Sequence, residues 1–282
     1  MEFLYECFAI SHIGNQRKSN EDNFYIGELI ASEEQSSMSQ SQAKSISKNV
    51  LVDEPGNRIF AVSDGMGGHE FGEVASYIVV KSLDDFSAMQ GVKSSHKNKE
   101  KFDYVQDFQK MIDETNNKVN KFAIDEDVYE NIGATLSGVV IFPDEAVPFN
   151  IGDSVTFIYE NKKLHKLTTD DNEAAMFAGT ATGKLEAHGK RLTKYFGLPQ
   201  SFGTLTATIS KPVPLKSGQI FIIASDGLTD SISESKISQI LEESIINIED
   251  AVNMLIEASL CEKDGGRDNI TIVIVKVLNR KK

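Results

Sequence analysis

Apolar positions recur with two different periods along the 282 residues of this chain, and the changes of period mark its elements. Residues 3–10 and a run starting at Phe24 read as strands. So do Ile59-Phe60-Ala61-Val62, residues 135–142, residues 149–159 and Ile220 to Ala224. Ile270 to Val277 is apolar at nearly every position, the pattern of a strand deep in a sheet. Asn161-Lys162 predicts a hairpin turn, so a β-meander is expected around it. Elsewhere the period is helical. Phe102, Val105, Phe108, Ile112, Thr115, Val119 and Phe122 recur at steps of three and four, which places them on one face of a long amphipathic helix. Residues 72–86 carry a similar stripe in Val74, Ile78, Val79, Leu83 and Phe86, and residues 250–260 another in Val252, Leu255, Ile256 and Ser259. Core packing explains these faces, and they predict strands with helices outside.

One stretch breaks the pattern. Residues 32–49 hold seven Ser and three Gln in eighteen positions with almost nothing to bury, and they predict a flexible loop inserted in a folded domain. No linker divides the chain, so residues 1–282 are read as a single domain.

Composition narrows the function. With 29 Lys and Arg against 42 Asp and Glu, the net charge is −13, the wrong sign for binding a phosphate backbone, and no nucleic-acid partner is expected. The longest apolar runs fall far short of the roughly 20 residues a membrane helix needs, so no membrane span is expected either. Residues 1–10 contain two Glu and no Lys or Arg, unlike a signal peptide, and the expected location is cytoplasmic. Cys7 and Cys261 sit in no Cys/His cluster and are expected to be reduced, semi-buried thiols.

The candidate chemistry lies in acids at the boundaries of apolar runs: Glu21, Asp22, Asp64, Asp153, Asp226 and Asp268. Ser63-Asp64-Gly65 and Ser225-Asp226-Gly227 close two matched apolar runs, and Asp268-Asn269 opens a third. Aspartate before glycine is ordinary turn chemistry. Two such tripeptides after matched strands, together with the third acid, point further. Converging carboxylates repel each other and lose hydration, and a divalent cation is the obvious compensation. Ligation by oxygen alone favours Mg²⁺ or Mn²⁺ over zinc. Arg17, four residues before Glu21, would suit bidentate capture of a phosphate, although by itself it would read as a surface arginine. Gly67-Gly68 would let the backbone approach a ligand, and is equally a structural device.

Seven segments occur in a recognisable order: RKSNED from Arg17, VSDGMGGHEFGEVAS from Val62, GATLSG from Gly133, IGDS from Ile151, HGKRLTKYFG from His188, ASDGLTD from Ala224 and DNITIVIV from Asp268. Together they resemble the PP2C (PPM) family of metal-dependent Ser/Thr protein phosphatases in its bacterial form, over residues 14–275. The resemblance implies an α+β fold, a four-layer αββα sandwich of two mainly antiparallel sheets flanked by helices, with a two-metal cleft at one edge. It implies that Asp64 bridges two divalent cations, Mn²⁺ or Mg²⁺, and that Gly65 adds a carbonyl oxygen. Asp226 and Asp268 would complete one shell, and Glu21 and Asp22 would hold waters on the other ion. Asp153 with Asp226 would bind a weaker third ion, and Arg17 would take the phosphate. The implied activity is hydrolysis of phosphoserine and phosphothreonine in proteins by in-line attack of a metal-bridging water, possible partners being a cognate Ser/Thr kinase or its substrates. The alternatives are a catalytically weak binding or regulatory module and a phosphatase of small phosphoesters.

The sequence departs from the family pattern in three places. Met66 stands where animal and plant relatives carry a histidine proposed as general acid, and nearby His69 is not assigned that role. Val155 stands where many relatives have arginine, and the flap expected from Asp171 to Tyr195 is Ala- and Gly-rich. Cys261 to Arg267 spells C-x5-R, the signature of cysteine-dependent phosphatases, but a predicted helix precedes it and a strand follows, the reverse of a phosphate-cradling loop.

Overall fold

The computed structural model describes residues 3–27, 29–30, 45–52, 58–67, 71–94, 101–128, 132–177, 191–244, 246–262 and 265–279. In chain order the elements begin with β1 (Phe3–His12), β2 (Asn23–Ile26), β3 (Leu29–Ile30), β4 (Ser45–Val52), β5 (Arg58–Ser63) and β6 (Gly65–Gly67). Two long helices follow, α1 (Gly72–Ser94) and α2 (Lys101–Asp125), and then β7 (Ile132–Ala134), β8 (Leu136–Ile141), β9 (Glu145–Ile151), β10 (Val155–Glu160) and β11 (Lys163–Lys166). The short helix α3 (Glu173–Met176) precedes β12 (Thr208–Ile209), β13 (Val213–Pro214) and β14 (Ile220–Ala224). The chain closes with α4 (Asp226–Ser231), α5 (Glu234–Ser244), α6 (Ile248–Cys261) and β15 (Ile270–Asn279).

Two antiparallel sheets dominate. The first runs β11-β10-β14-β15-β1-β4, and the second runs β12-β9-β8-β5-β2-β3, with β13 also on β9. Side-chain alternation along each strand then sorts the apolar residues into layers. Cys7, Ala9, Phe221, Ile223, Val273 and Val275 of the first sheet meet Phe24, Phe60, Val62 and Val139 of the second. The intervening residues of the first sheet, Phe8, Ile222, Ile272 and Ile274, point outward beneath α5 and α6. Tyr25, Ile59, Ala61 and Val140 of the second do the same beneath α1 and α2. Both faces of the central strands are covered, which is why β14 and β15 read as uninterrupted apolar runs rather than alternating ones. Each buried aliphatic or aromatic side chain is worth roughly 1.5–3 kcal/mol relative to exposure. The result is the expected αββα sandwich. Among the described residues no helix is long and apolar enough to cross a membrane.

The Asn161-Lys162 turn is present, with both residues at positive φ (50° and 60°) as a two-residue hairpin loop requires. Several expectations are corrected. The run 149–159 is divided between β9 and β10, which belong to different sheets, and Gly152-Asp153-Ser154 is the crossing between them. Val105 is 50% exposed and Tyr104, one position earlier, is buried at 8%. Tyr104 packs edge-on against Phe86 and Phe142, ring centroids 5.3 and 5.2 Å away. One residue is about 100° of helix rotation, so Val105 lies off the stripe that the larger aromatic occupies. Residues 45–49, expected in the flexible loop, belong to β4, where Ser47, Lys48 and Asn49 pair with Ile10, Ala9 and Phe8. That pairing is made by main-chain groups at a sheet edge, so composition gives no sign of it. Residues 32–44 of the same loop lie outside the described residues. Cys7 is fully buried and Cys261 exposed, so neither is semi-buried.

These placements predict unequal costs for two substitutions on one helix. Ile112→Ala, at a fully buried position, should cost about 2–5 kcal/mol in urea denaturation. Val105→Ser should stay within about 0.5 kcal/mol of the parent. Equal costs would contradict the observed stripe.

Candidate metal and phosphate site

Strand register gathers the six acids at one end of the sandwich. Asn23 pairs with Ser63, so Asp22 and Asp64 leave adjacent strands of the second sheet side by side. Val155 pairs with Ala224, which brings the Asp153 crossing beside Asp226 at the start of α4. His12 pairs with Ile270, so the loop carrying Arg17 and Glu21 starts where Asp268 and Asn269 enter β15. Both sheets therefore empty their acidic turns into the same cleft.

Buried hydroxyl and amide groups fix the turns. The Asp64 N–H donates to Thr135 Oγ1 at 3.0 Å, and the Thr135 N–H donates to the Asp64 carbonyl at 2.9 Å. The same hydroxyl lies 2.7 Å from Ser154 Oγ, next to Asp153. Ser225 Oγ donates to Asp22 Oδ2 at 2.7 Å and accepts from the Thr271 N–H at 2.9 Å. Asn269 Oδ1 accepts from the Glu21 N–H at 2.8 Å. Two glycines allow close approach. A Cβ on Gly65 would collide with the carbonyl oxygens of Gly72 and Glu21, and one on Gly227 with that of Asn269.

The electrostatics follow from this crowding. Burial, followed by the charges of Asp22, Asp226, Asp268 and Asp153, holds the Asp64 carboxyl well above the usual range. Asp22 is pushed up to about 7, by burial first and then by Asp268 and Asp226, against the hydrogen bonds from Ser225 and Thr271. Glu21 is also pushed up to about 7, by burial and then by Glu73 on α1, with Arg17 opposing. Arg17 Nη2 donates to Asp268 Oδ2 at 2.6 Å, and this bond raises the guanidinium pKa further. Five aspartates, Glu21 and Glu73 thus share one field with Arg17 at its edge.

Among the described residues, no three His, Cys, Asp or Glu side chains form a finished metal nest. Asp268 is turned toward Arg17 and Asp22 toward Ser225. The donor set nevertheless suits a hard divalent cation: it is oxygen only, and its carboxylates raise one another's pKa, which an added positive charge would relieve. Of the residues that sequence reasoning left without a role, Thr135, Ser225, Asn269 and Glu73 all touch this site or its field. Thr135, Ser225 and Asn269 stand in the quoted GATLSG, ASDGLTD and DNITIVIV segments, and Glu73 in VSDGMGGHEFGEVAS. Their partners, however, are up to 256 residues away in the chain.

The departures also find places. Met66 packs on Gly133, where a Cβ would lie 2.6 Å from its Cε, so this side chain fills space. Val155 is core beneath the helices of the first sheet, where an arginine would bury a charge. Residues 68–70 and 178–190, which include His69 and most of the expected flap, lie outside the described residues. At the root of that segment Asp171 exchanges main-chain bonds with Gly152 and Thr193 and pairs with Lys194 Nζ at 2.8 Å. Cys261 ends α6 and β15 follows, so C-x5-R lacks the strand-loop-helix cradle.

An αββα sandwich with an all-oxygen acidic cleft at the shared end of its sheets is the class of protein defined by this geometry. The family profile described as protein phosphatase 2C matches residues 46–261, and the chain belongs to that family. Protein phosphatase PhpP of Streptococcus pneumoniae is 29% identical over 238 residues, 81% of this chain and 89% of the relative. The Ser/Thr phosphatase stp of Listeria innocua is 28% identical over 223 residues, 77% and 84% of the two chains. The solved catalytic domain of the Ser/Thr protein phosphatase PstP, in complex with two manganese ions, superposes with a TM-score of 0.69 at 23% identity. That match covers 98% of this chain and 100% of the PstP chain.

The raised carboxyl pKa values carry a stability prediction for the metal-free protein. Between an ordinary aspartate value of 3.8 and about 7, folded Asp22 keeps a proton that the unfolded chain has released. Folding therefore takes up protons in this window, and stability falls as pH rises through it. The Tm of the protein held in chelator should fall from pH 5 to pH 7.5 more steeply than that of Asp22→Asn or Asp64→Asn. Parallel slopes in parent and variants would contradict the shared field.

Proposed function

We propose that this chain is a metal-dependent protein Ser/Thr phosphatase whose active site is the acidic cleft, with residues 1–282 acting as one domain. The observation that carries the site is the convergence of Asp22, Asp64, Asp153, Asp226 and Asp268, from turns of both sheets, on one field beside Arg17. Family membership and the Ser/Thr phosphatases among its relatives support the activity. The ten-residue pairing of β1 with β15, which joins the two ends of the described chain, supports the single domain.

The carboxylates of Asp64, Asp226 and Asp268 and the carbonyl of Gly65 are the proposed inner ligands of two divalent cations, with Glu21 and Asp22 holding waters around them. Asp153 with Asp226 is the proposed weaker third site. Manganese is the favoured ion, on the strength of the manganese-bound PstP domain, with magnesium the other candidate. Bound cations supply Lewis-acid stabilisation of the phosphoryl oxygens and a water of lowered pKa.

The chain's own groups do the rest. Arg17, about half exposed and fixed by Asp268, presents a planar fork of donors to two phosphate oxygens and stabilises the charge that develops there. Thr135 and Ser225 hold the Asp64 and Asp22 turns without adding charge. The site aspartates are assigned to cations and the Thr135 and Ser225 hydroxyls to holding turns, which leaves no side chain free as a covalent nucleophile, so the reading is direct hydrolysis without a covalent phosphoenzyme. The substrates are phosphoproteins, and a cognate Ser/Thr kinase or its targets are the proposed partners in the cell.

The test is turnover of a phosphothreonine peptide. Activity should require Mn²⁺ or Mg²⁺ and vanish in chelator. Asp64→Asn and Asp226→Asn should each lower kcat by about 100-fold or more. Full activity in chelator, or in either variant, would sink the proposal.

A further inference from the structure

The loop between β1 and β2 carries Arg17, Glu21 and Asp22, and it has almost no secondary structure of its own. Its main-chain polar groups must therefore be satisfied from elsewhere. One side chain supplies three such bonds. Asn269 Nδ2 donates to the Ile13 carbonyl at 2.9 Å and to the Ser19 carbonyl at 3.0 Å, and Asn269 Oδ1 accepts from the Glu21 N–H at 2.8 Å. These contacts fall on both sides of Arg17 in sequence and close the loop around it. A further bond, Asn15 N–H to the Gly266 carbonyl at 2.6 Å, ties the loop to the same segment. Asn269 is 3% exposed, so its amide is spent on these bonds rather than on solvent. The residue immediately before it, Asp268, accepts from the Arg17 guanidinium at 2.6 Å.

We propose that Asn269 is a positioning residue for phosphate recognition, holding the Arg17 loop while Asp268 aims the guanidinium. Consecutive residues just before β15 thus fix both ends of one recognition element, the main chain and the charged tip. The inference rests on Arg17 being the phosphate-binding group. It goes beyond that reading in giving the asparagine a function that the neighbouring acids cannot perform, because a carboxylate offers no donor to the Ile13 and Ser19 carbonyls.

The test is a double-substitution cycle on the full chain loaded with manganese, read as the Kd for inorganic phosphate by calorimetry and as kcat and KM for a phosphothreonine peptide. Asn269→Ala should weaken phosphate binding about 10-fold to 100-fold, the size of effect expected when a recognition group is displaced by about 1 Å. It should raise KM more than it lowers kcat. In the Arg17→Ala background the same substitution should change the phosphate Kd by less than about twofold, because the group it positions is gone. A phosphate Kd for Asn269→Ala within about twofold of the parent, or an equal loss in both backgrounds, overturns the proposal. Phosphate binding unchanged by Arg17→Ala alone overturns the role of Arg17 itself and the positioning role with it, so the two failures are distinct. Asn269→Ser takes the place of Asn269→Ala in the cycle if the alanine variant does not fold. Ile240→Val, a core substitution in α5 remote from the loop, measures the effect of lost stability alone, and an equal weakening there also overturns the proposal.

Discussion

Mutual repulsion among the carboxylates of Asp22, Asp64, Asp153, Asp226 and Asp268 is the constraint on which the rest of the structure turns. Left to themselves, flexible acidic turns would separate. Here each is the end of a strand whose position is set by a ladder of main-chain hydrogen bonds and by apolar side chains on both faces. Displacing one acid would mean breaking the packing of Phe24, Val62, Ile223 or Val273 between the sheets. The layered core thus supplies the stability that the site consumes, the familiar relation between a strained functional region and the frame around it.

A second level of order lies between core and cleft. The Ser11 and Thr271 hydroxyls bond each other, and the side chains of Thr271 and Ser225 both reach Asp22, with Ser225 Oγ also accepting from the Thr271 N–H. Around Asp64, Ser63 Oγ donates to the Thr135 carbonyl, and the Thr135 hydroxyl, which accepts from the Asp64 N–H, bonds that of Ser154. Neutral hydroxyls suit this place because they satisfy buried main-chain groups and a carboxylate without adding charge to a field that is already strongly negative. Together with the Asn269 amide they turn loosely specified loops into fixed ones. The same scaffold explains why Val155 and Met66, departures from the family pattern, leave the acids where they are: both side chains pack against structure and neither supports a turn.

The net charge of −13 takes on a different meaning beside this geometry. Part of it is general surface acidity, which still argues against nucleic-acid binding. Another part is six acids placed by register at one end of two sheets. Whatever positive charge the site recruits does more there than the same ion would on an exposed surface, because burial has already raised the cost of leaving the carboxylates ionised.

Local pattern was enough for much of this. The uninterrupted apolar runs at Ile220 and Ile270, the helical stripes of α1, α2 and α6, the Asn161-Lys162 turn and the acids at strand ends could all be read directly, because each depends on residues a few positions apart. Other features depended on neighbours that are distant in sequence. Whether Tyr104 or Val105 faced inward was decided by Phe86 and Phe142, and whether residues 45–49 paired was decided by the free edge of β1. Helix α5 leaves little periodic signal in the sequence because only Ile237, Ile240 and Leu241 mark it within a polar stretch. At the site, sequence alone named the acids and Arg17 but gave no role to Asn269, Thr135 or Ser225. Their function consists of hydrogen bonds to groups between 19 and 256 residues away. Sequence determined which residues carry charge and where strands end. Tertiary structure decided which of those ends meet and what holds them together, because register, layer packing and long-range hydrogen bonds exist only once the sheets have formed.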